Sequence, residues 1–150
     1  MIALAKRAAP AAVAVLRQAT ALKPKRKKAS DGLLPSKDHV KQNPNSDHNS
    51  GFAVDVTHDS VFGIDCAVAY VQLQQDPRVK YLIFAGKIWS KAKGERDYTG
   101  PNKHNKHLHI SINETCGDDT SPWFPWLGEV SKLSKVKAAV KPLPKKKETK

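Results

Sequence analysis

The sequence predicts an α+β fold, with a small, mainly antiparallel sheet and flanking helices. Residues 52–57 and 107–112 alternate polar and apolar side chains, which is typical of strands with one buried face. Residues 79–84 have the composition of a further strand, and residues 64–74 have helical spacing. With 150 residues, of which 39 % are hydrophobic, the chain has enough apolar surface for one modest core.

The first 29 residues are expected to form a basic amphipathic helix and a linker. Pro24 and the basic run at residues 25–28 would end this helix. Six apolar residues recur on one of its faces: Leu4, Ala8, Ala12, Val15, Leu16 and Ala19.

The second predicted helix, at residues 64–74, should end before Asp76 and Pro77. Four of its residues come close together on one side: Ile64, Val68, Val71 and Gln72. Residues 35–50 form a polar stretch, and residues 85–87 a tight turn leading to Ile88 and Trp89. Residues 90–106 are expected to be a long polar loop and residues 117–125 a turn region. We expect a last helix at residues 127–140 and a disordered Pro- and Lys-rich tail at residues 141–150.

Charge divides the chain into three parts. Residues 1–30 carry eight Lys or Arg and no acid, and residues 131–150 carry eight Lys and one Glu. The residues between them carry ten basic and thirteen acidic side chains, so the net charge of +12 comes from the two ends. The predicted organisation is a helix with its linker, a folded domain, and a C-terminal helix with a basic tail: residues 1–29, 30–128 and 129–150.

This distribution bears on the class of partner. A nucleic-acid-binding domain usually carries its positive charge on the folded unit that contacts the backbone. Here the predicted folded unit is slightly acidic, and the basic runs lack interleaved aromatic residues, so no specific nucleic-acid partner is expected. A nucleic-acid-binding protein with basic arms stays an alternative. No stretch has the roughly 20 apolar residues of a transmembrane helix, and a basic cluster stands where a signal peptide would have its cleavage site.

The two cysteines, Cys66 and Cys116, are too few for a disulfide framework, although a single bridge stays open. Cys66 falls in an apolar helical stretch, and we expect it to be a small buried apolar residue.

Four residues have the chemistry and spacing of a metal site. His107 and His109 lie two residues apart in one strand, so both side chains project from one face. Asp55 lies on the polar face of another strand, and His48 precedes it in a loop in which Gly51 allows a close turn. Imidazole and carboxylate groups are zinc ligands. Each feature alone is common on solvated surfaces, and it is the joint pattern that predicts a metal site.

A resemblance to a known family rests on two motifs, His48-Asn-Ser-Gly51-Phe-Ala53-Val-Asp55 and His104-Asn-Lys-His107-Leu-His109. The first resembles the His-x-x-Gly-x-Ala-x-Asp motif of zinc D-alanyl-D-alanine peptidases, and the second is similar to that family's His-x-x-His-x-His motif. The family includes phage L-alanyl-D-glutamate endopeptidases and shares its fold with hedgehog signalling domains. The chain looks closest to a phage-associated, endolysin-like branch, with SDG, SDH, DVTHD, DPRVKY and YTGPN-type blocks over about two thirds of its length.

The resemblance implies a hedgehog/DD-peptidase-like fold and a zinc peptidase that cleaves bacterial peptidoglycan peptides. It implies His48, Asp55 and His109 as Zn²⁺ ligands, His107 as the catalytic residue and His104 as a residue of the substrate site. Arg96 and Tyr98 are further candidate substrate-binding residues. Peptide hydrolysis at zinc needs an acid–base group that takes the proton of the metal-bound water and returns it to the leaving amine. His107 is the candidate for this role and Glu95 is an alternative. The expected partners of the ligand rings are Asp47, Asp59 or Ser111, whereas His39 and His58 are expected to be structural or peripheral.

One departure from the family concerns the substrate. Many relatives carry an Arg upstream of the first ligand that holds a substrate carboxylate, and no Arg occurs here between Asp31 and Arg78. Lys37, Lys41 or the distant Arg96 would have to hold the substrate carboxylate in its place. An endopeptidase is therefore easier to accept than a D,D-carboxypeptidase.

Two further expectations concern role and location. A non-catalytic zinc-bearing structural or wall-binding module of the same fold is the main alternative to the enzyme. The basic tails would attract anionic wall polymers, or serve only solubility or as a flexible linker. The resemblance implies residence in the host cytoplasm until release to the cell wall, or association with the virion.

Overall fold

A computed structural model describes residues 7–35 and 46–127 of the chain. Within these residues, the α-helices and strands follow in the order α1 (Pro10–Leu22), β1 (Ala53–Thr57), α2 (Cys66–Gln72), β2 (Val79–Phe84), β3 (Lys87–Ser90), β4 (Gly94–Asp97) and β5 (His107–Ile112). The strands form one antiparallel sheet in the order β1-β5-β2-β3-β4. The prediction of an α+β fold with an antiparallel sheet is confirmed.

The two sides of the sheet differ in chemistry as the alternation predicts. The core side of β1 and β5 carries apolar residues that are at most 1 % exposed: Val54, Val56, Leu108, Ile110 and Ile112. Asp55, His107 and His109 project from the other side. The strand register pairs Asp55 directly with His109, so polar residues from distant parts of the chain become neighbours there.

Helix α1 packs on the core side. It begins at Pro10, where proline is tolerated because the first N–H groups of a helix have no intrahelical acceptor. The prediction began the helix too early, since Ala8 precedes it, and Leu4 lies outside the described residues. Ala12, Val15 and Ala19 of the predicted face are buried. The full set of buried residues in α1 is Ala11, Ala12, Ala14, Val15, Ala19 and Leu22.

A segment late in the described chain fastens α1 to the domain. The Trp123 indole donates a hydrogen bond to the Ala11 carbonyl (3.0 Å), and the Trp123 amide donates to Gln18 Oε1 (2.7 Å). The Ala11 amide donates to the Gly117 carbonyl (2.8 Å). Trp123 is fully buried, and it belongs to the same hydrophobic core as the buried residues of α1.

Helix α2 is shorter than predicted and is buried on a different side. Asp65 caps it by accepting from the amides of Ala67 and Val68, and a short 3₁₀ turn, Leu73–Gln75, continues it. Its buried residues are Cys66, Ala69 and Tyr70. Val68 and Val71 are exposed, so the predicted grouping of these residues with Ile64 is wrong. The cause is that Ile64 lies before the helix, in a parallel bridge with His58.

The predicted long loop at residues 90–106 contains β4, an edge strand that pairs with β3. The strand is polar and largely exposed, which removes the apolar alternation that would have identified it. The predicted helix at residues 127–140 and the tail at 141–150 lie outside the described residues, except for Leu127, which ends the 3₁₀ turn Pro125–Leu127. None of the described helices is long and apolar enough to span a membrane.

Both cysteines are free thiols. Cys66 is fully buried beneath β1, with Sγ 3.5 Å from the Val56 carbonyl oxygen. Burial raises the pKa of the Cys66 thiol to about 12. The expectation of a small buried apolar residue is therefore confirmed for Cys66.

Candidate metal centre

His48 reaches the sheet through a tight turn before β1. Ser46 caps the 3₁₀ turn Asp47–Ser50 by accepting from the His48 amide. Gly51 ends the turn with φ 84°, a left-handed conformation that suits glycine, and the chain then enters β1. The turn places the buried His48 side chain beside Asp55.

Three donor groups converge at this point. Asp55 Oδ1 lies 3.2 Å from His48 Nε2 and 3.1 Å from His109 Nδ1. One ligand atom from each of the three residues lies within 4.8 Å of the others, so a single ion could contact all three. The predicted ligands are therefore brought together, and the group is a possible metal site.

The outer nitrogen of each ligand ring has its own partner. His48 Nδ1 lies 2.6 Å from the Leu33 carbonyl oxygen, which can only accept, so Nδ1 carries the proton and Nε2 is the donor atom for a metal. His109 Nε2 lies 2.8 Å from Ser111 Oγ. These outer contacts orient both rings, as is usual for histidines that bind metals.

The charges in the centre are coupled. Although burial alone would raise the pKa of Asp55, hydrogen bonds from His109 and His48 hold it well below its usual range. Burial likewise opposes protonation of His48, but the hydrogen bond and negative charge of Asp55 raise its pKa overall. A proton on His48 Nε2 therefore fills part of the place that a cation would take.

Two further histidines flank the three donors. His107 Nε2 lies 3.6 Å from Asp55 Oδ2, and its side chain is 15 % exposed, compared with 8 % for His48 and 6 % for His109. Burial lowers the pKa of His107. The negative charge of Asp55 acts in the opposite direction, and the positive charges of His109 and His48 lower the pKa further. The ring of His104 lies 4.8 Å from that of His107.

His104 adopts an unusual backbone conformation. Its φ of 60° is uncommon for a residue other than glycine, and the Asn102 side chain supports it by accepting from the His104 amide (2.9 Å). Burial lowers the pKa of His104 to about 4, so the ring is neutral at pH 7. Tyr98, another predicted substrate-binding residue, packs against it at 5.5 Å between ring centroids.

Tyr81, on β2, was not identified from the sequence. Its ring stacks on that of His109 with centroids 5.4 Å apart. Burial raises the pKa of Tyr81 to about 12, so the phenol keeps its proton at neutral pH. The residue could have been found only from strand order, because the sequence does not show that β2 pairs with β5.

The remaining predicted residues divide by the side of the sheet. His109 pairs with Ile83, Ile83 with Ile88, and Ile88 with Arg96. Arg96 therefore faces the same side of the sheet as His109, three strands away. Glu95 faces the other side, where it accepts from the Tyr70 hydroxyl at 3.0 Å. Glu95 is therefore remote from the three donor groups, and the alternative that Glu95 moves the proton is wrong.

Of the predicted ring partners, Ser111 lies against a ligand ring, with its Oγ 2.8 Å from His109 Nε2. Asp47 pairs with Lys80 (3.2 Å), and Asp59 accepts from backbone amides, which include that of Lys27. His58 is structural, since its Nδ1 accepts from the Cys66 amide. His39, Lys37 and Lys41 lie outside the described residues.

A cleft of about 350 Å³ opens beside His107. It is lined by Ser30, Asn102, Asn105, Lys106 and His107. A ligand in this cleft would lie against His107, the most exposed of the three histidines that contact Asp55.

No protein-family model, curated protein or solved structure matches the chain.

Proposed function

We propose that the protein is a zinc-dependent peptidase that cleaves peptides of bacterial peptidoglycan, with a hedgehog/DD-peptidase-like fold and an endolysin-like role. The observation that carries the proposal is the convergence of His48, Asp55 and His109 with His107 close by but outside the donor group. The two motifs that resemble zinc D-alanyl-D-alanine peptidases lie in these same residues.

The donor set suits zinc. Two imidazole nitrogens and one carboxylate oxygen are a common set in catalytic zinc sites, which keep a position for water. The contacts to Leu33 and Ser111 orient the rings in advance. When bound, Zn²⁺ would lower the pKa of a water molecule and polarise the scissile carbonyl group.

His107 is the residue that would move the proton. Its lowered pKa keeps the ring neutral at pH 7, so it can accept a proton and later return it to the leaving amine. His104 and Tyr98, together with the cleft beside His107, would contact the peptide. Arg96 is three strands away, about 14 Å at the usual strand spacing, and would contact only a distant part of a long substrate.

Digestion of purified cell walls tests the proposal directly. The protein, supplied with zinc, should release new amino and carboxyl termini, and their identification would show which bond is cut. Asp55→Asn should be inactive, whereas Asp97→Asn, at the far edge of the sheet, should be active. Bound zinc without any new termini would favour the non-catalytic module.

Zinc affinity should depend on pH through His48. The metal-free protein has a raised His48 pKa, and zinc must displace that proton. Apparent affinity should therefore fall as the pH falls through this pKa, from above 6.5, by about tenfold per pH unit for one proton. Asp55 should not compete, because its lowered pKa keeps it ionised there. Calorimetry in two buffers of different ionisation enthalpy would measure the protons released, and a pH-independent affinity between pH 6 and 8 would contradict the prediction.

We also expect the basic tail to act separately from the chemistry. Removal of residues 141–150 deletes five Lys and one Glu. The shortened protein should cleave soluble wall peptides normally but bind whole walls less well at low salt, because attraction to anionic polymers is screened by ions. Wall binding should be measured across a salt series, and equal binding by the two proteins would exclude this role.

A further inference from the structure

Residues 26–33, which span the predicted boundary between the linker and the folded domain, are tied to the sheet by a buried ion pair. Arg26 is 5 % exposed and forms two hydrogen bonds to Asp31, at 3.1 and 2.7 Å. Asp31 Oδ1 also accepts from the amide (3.0 Å) and hydroxyl (2.8 Å) of Thr57, the last residue of β1. The segment is thus fixed at the end of the strand that carries Asp55.

The next residue, Gly32, lies directly against Asp55. The two residues exchange backbone hydrogen bonds of 3.0 and 2.8 Å, which form an antiparallel bridge. A Cβ atom on Gly32 would lie 3.3 Å from Asp55 Oδ2, and its three nearest neighbours would all belong to the Asp55 side chain. Gly32 therefore leaves the room in which the Asp55 carboxylate lies.

Leu33 then reaches the second ligand. Its carbonyl oxygen lies 2.6 Å from His48 Nδ1 and fixes which ring nitrogen can face Asp55. Two of the three donor groups are thus held by consecutive residues of one segment. No side-chain chemistry of Gly32 or Leu33 takes part, because the contacts are made by backbone atoms and by the missing Cβ.

We propose that residues 26–33 are a positioning segment for the metal centre, in which the Arg26–Asp31 pair fixes Gly32 against Asp55 and the Leu33 carbonyl against His48. The inference rests on the metal site of the proposed function but not on its substrate. It makes Asp31 and Gly32 positioning residues and makes part of the predicted linker necessary for metal binding.

The test compares zinc affinity among single variants of the full chain, by competition with a chromophoric chelator. Gly32→Ala is the main variant, because Gly32 is not among the glycines with positive φ and the new methyl group would press only on Asp55. Zinc affinity should fall roughly 10–100-fold, the usual effect of disturbing groups that orient metal ligands. Asp31→Asn should act in the same direction.

Two controls separate positioning from general stability. Val15→Ala removes apolar contacts from α1, where Val15 is fully buried, and should leave zinc affinity unchanged below its melting temperature. Asp97→Asn breaks an ion pair of 2.6 Å with Lys87 at the opposite sheet edge and should also have no effect. Wild-type affinity in Gly32→Ala, or an equal loss in Val15→Ala, would overturn the proposal.

A second measurement does not need zinc. In the metal-free protein, nitrogen-15 NMR of His48 should show a proton held on Nδ1, as the contact with Leu33 requires. This signal should weaken or shift in Asp31→Asn and stay unchanged in Val15→Ala. If wild-type protein bound no zinc, the proposed function would fail, and the NMR result would still decide whether the segment positions His48.

Discussion

Replacement of any one of His48, Asp55 or His109 by alanine is expected to reduce bound zinc from stoichiometric to background. Asp55 should be the most sensitive position, because its Oδ1 lies within 3.2 Å of a nitrogen of each ring. Loss of one ligand leaves two protein donors, fewer than the three that catalytic zinc sites use. Elemental analysis of the purified variants measures the effect.

The controls for this experiment address folding. Asp55→Asn keeps the size of the side chain and should also lose zinc, so a loss caused only by a cavity can be recognised. Circular dichroism should show folded protein in each variant, and Asp97→Asn should keep its metal. A variant that retained full zinc would remove that residue from the ligand set.

His107→Ala is expected to keep its zinc while turnover falls by roughly 10²–10⁴-fold, the usual contribution of a positioned acid–base group. His107 and His109 project from the same face of β5, but they contact different oxygens of Asp55, with His107 at the longer distance of 3.6 Å from Oδ2. His107 is also more exposed than either ligand ring. A reacting peptide would therefore contact His107 more readily.

Zinc and turnover must be measured on the same preparation of His107→Ala. The pH profile of the variant should lose one limb, since one titrating group has been removed. Loss of zinc would make His107 a ligand. Full activity with zinc retained would transfer the proton-moving role to His104, because Glu95 faces the other side of the sheet.

Alternation along β1 and β5 made much of the fold predictable. A strand with one apolar face can be recognised from its own residues, and the strands at Val79–Phe84 and His107–Ile112 have the predicted bounds. Strand β4 has no such face, since Glu95, Arg96 and Asp97 are all exposed, and it was predicted as loop. Its existence follows from pairing with β3, which local sequence does not reveal.

The candidate site was predictable to the same extent. Histidine and aspartate can be recognised by their chemistry, and the joint pattern of His48, Asp55, His107 and His109 predicted a metal site. The choice of His109 over His107 as the ligand came from the family resemblance. Gly32 and Leu33 act through backbone atoms, and nothing in their side chains indicates a role. The position of Arg96 relative to the site depends on the order of five strands, which one sequence leaves open.

The attachment of α1 has a consequence for synthesis. Trp123 donates to Gln18 from a position 105 residues later in the chain, so α1 is synthesised well before the residue that fastens it to the domain. At about 5–20 residues per second, its apolar face waits roughly 5–20 s for this partner. During that interval the apolar face of α1 lacks its contacts with Trp123, and slow translation of residues 117–123 would prolong this exposure.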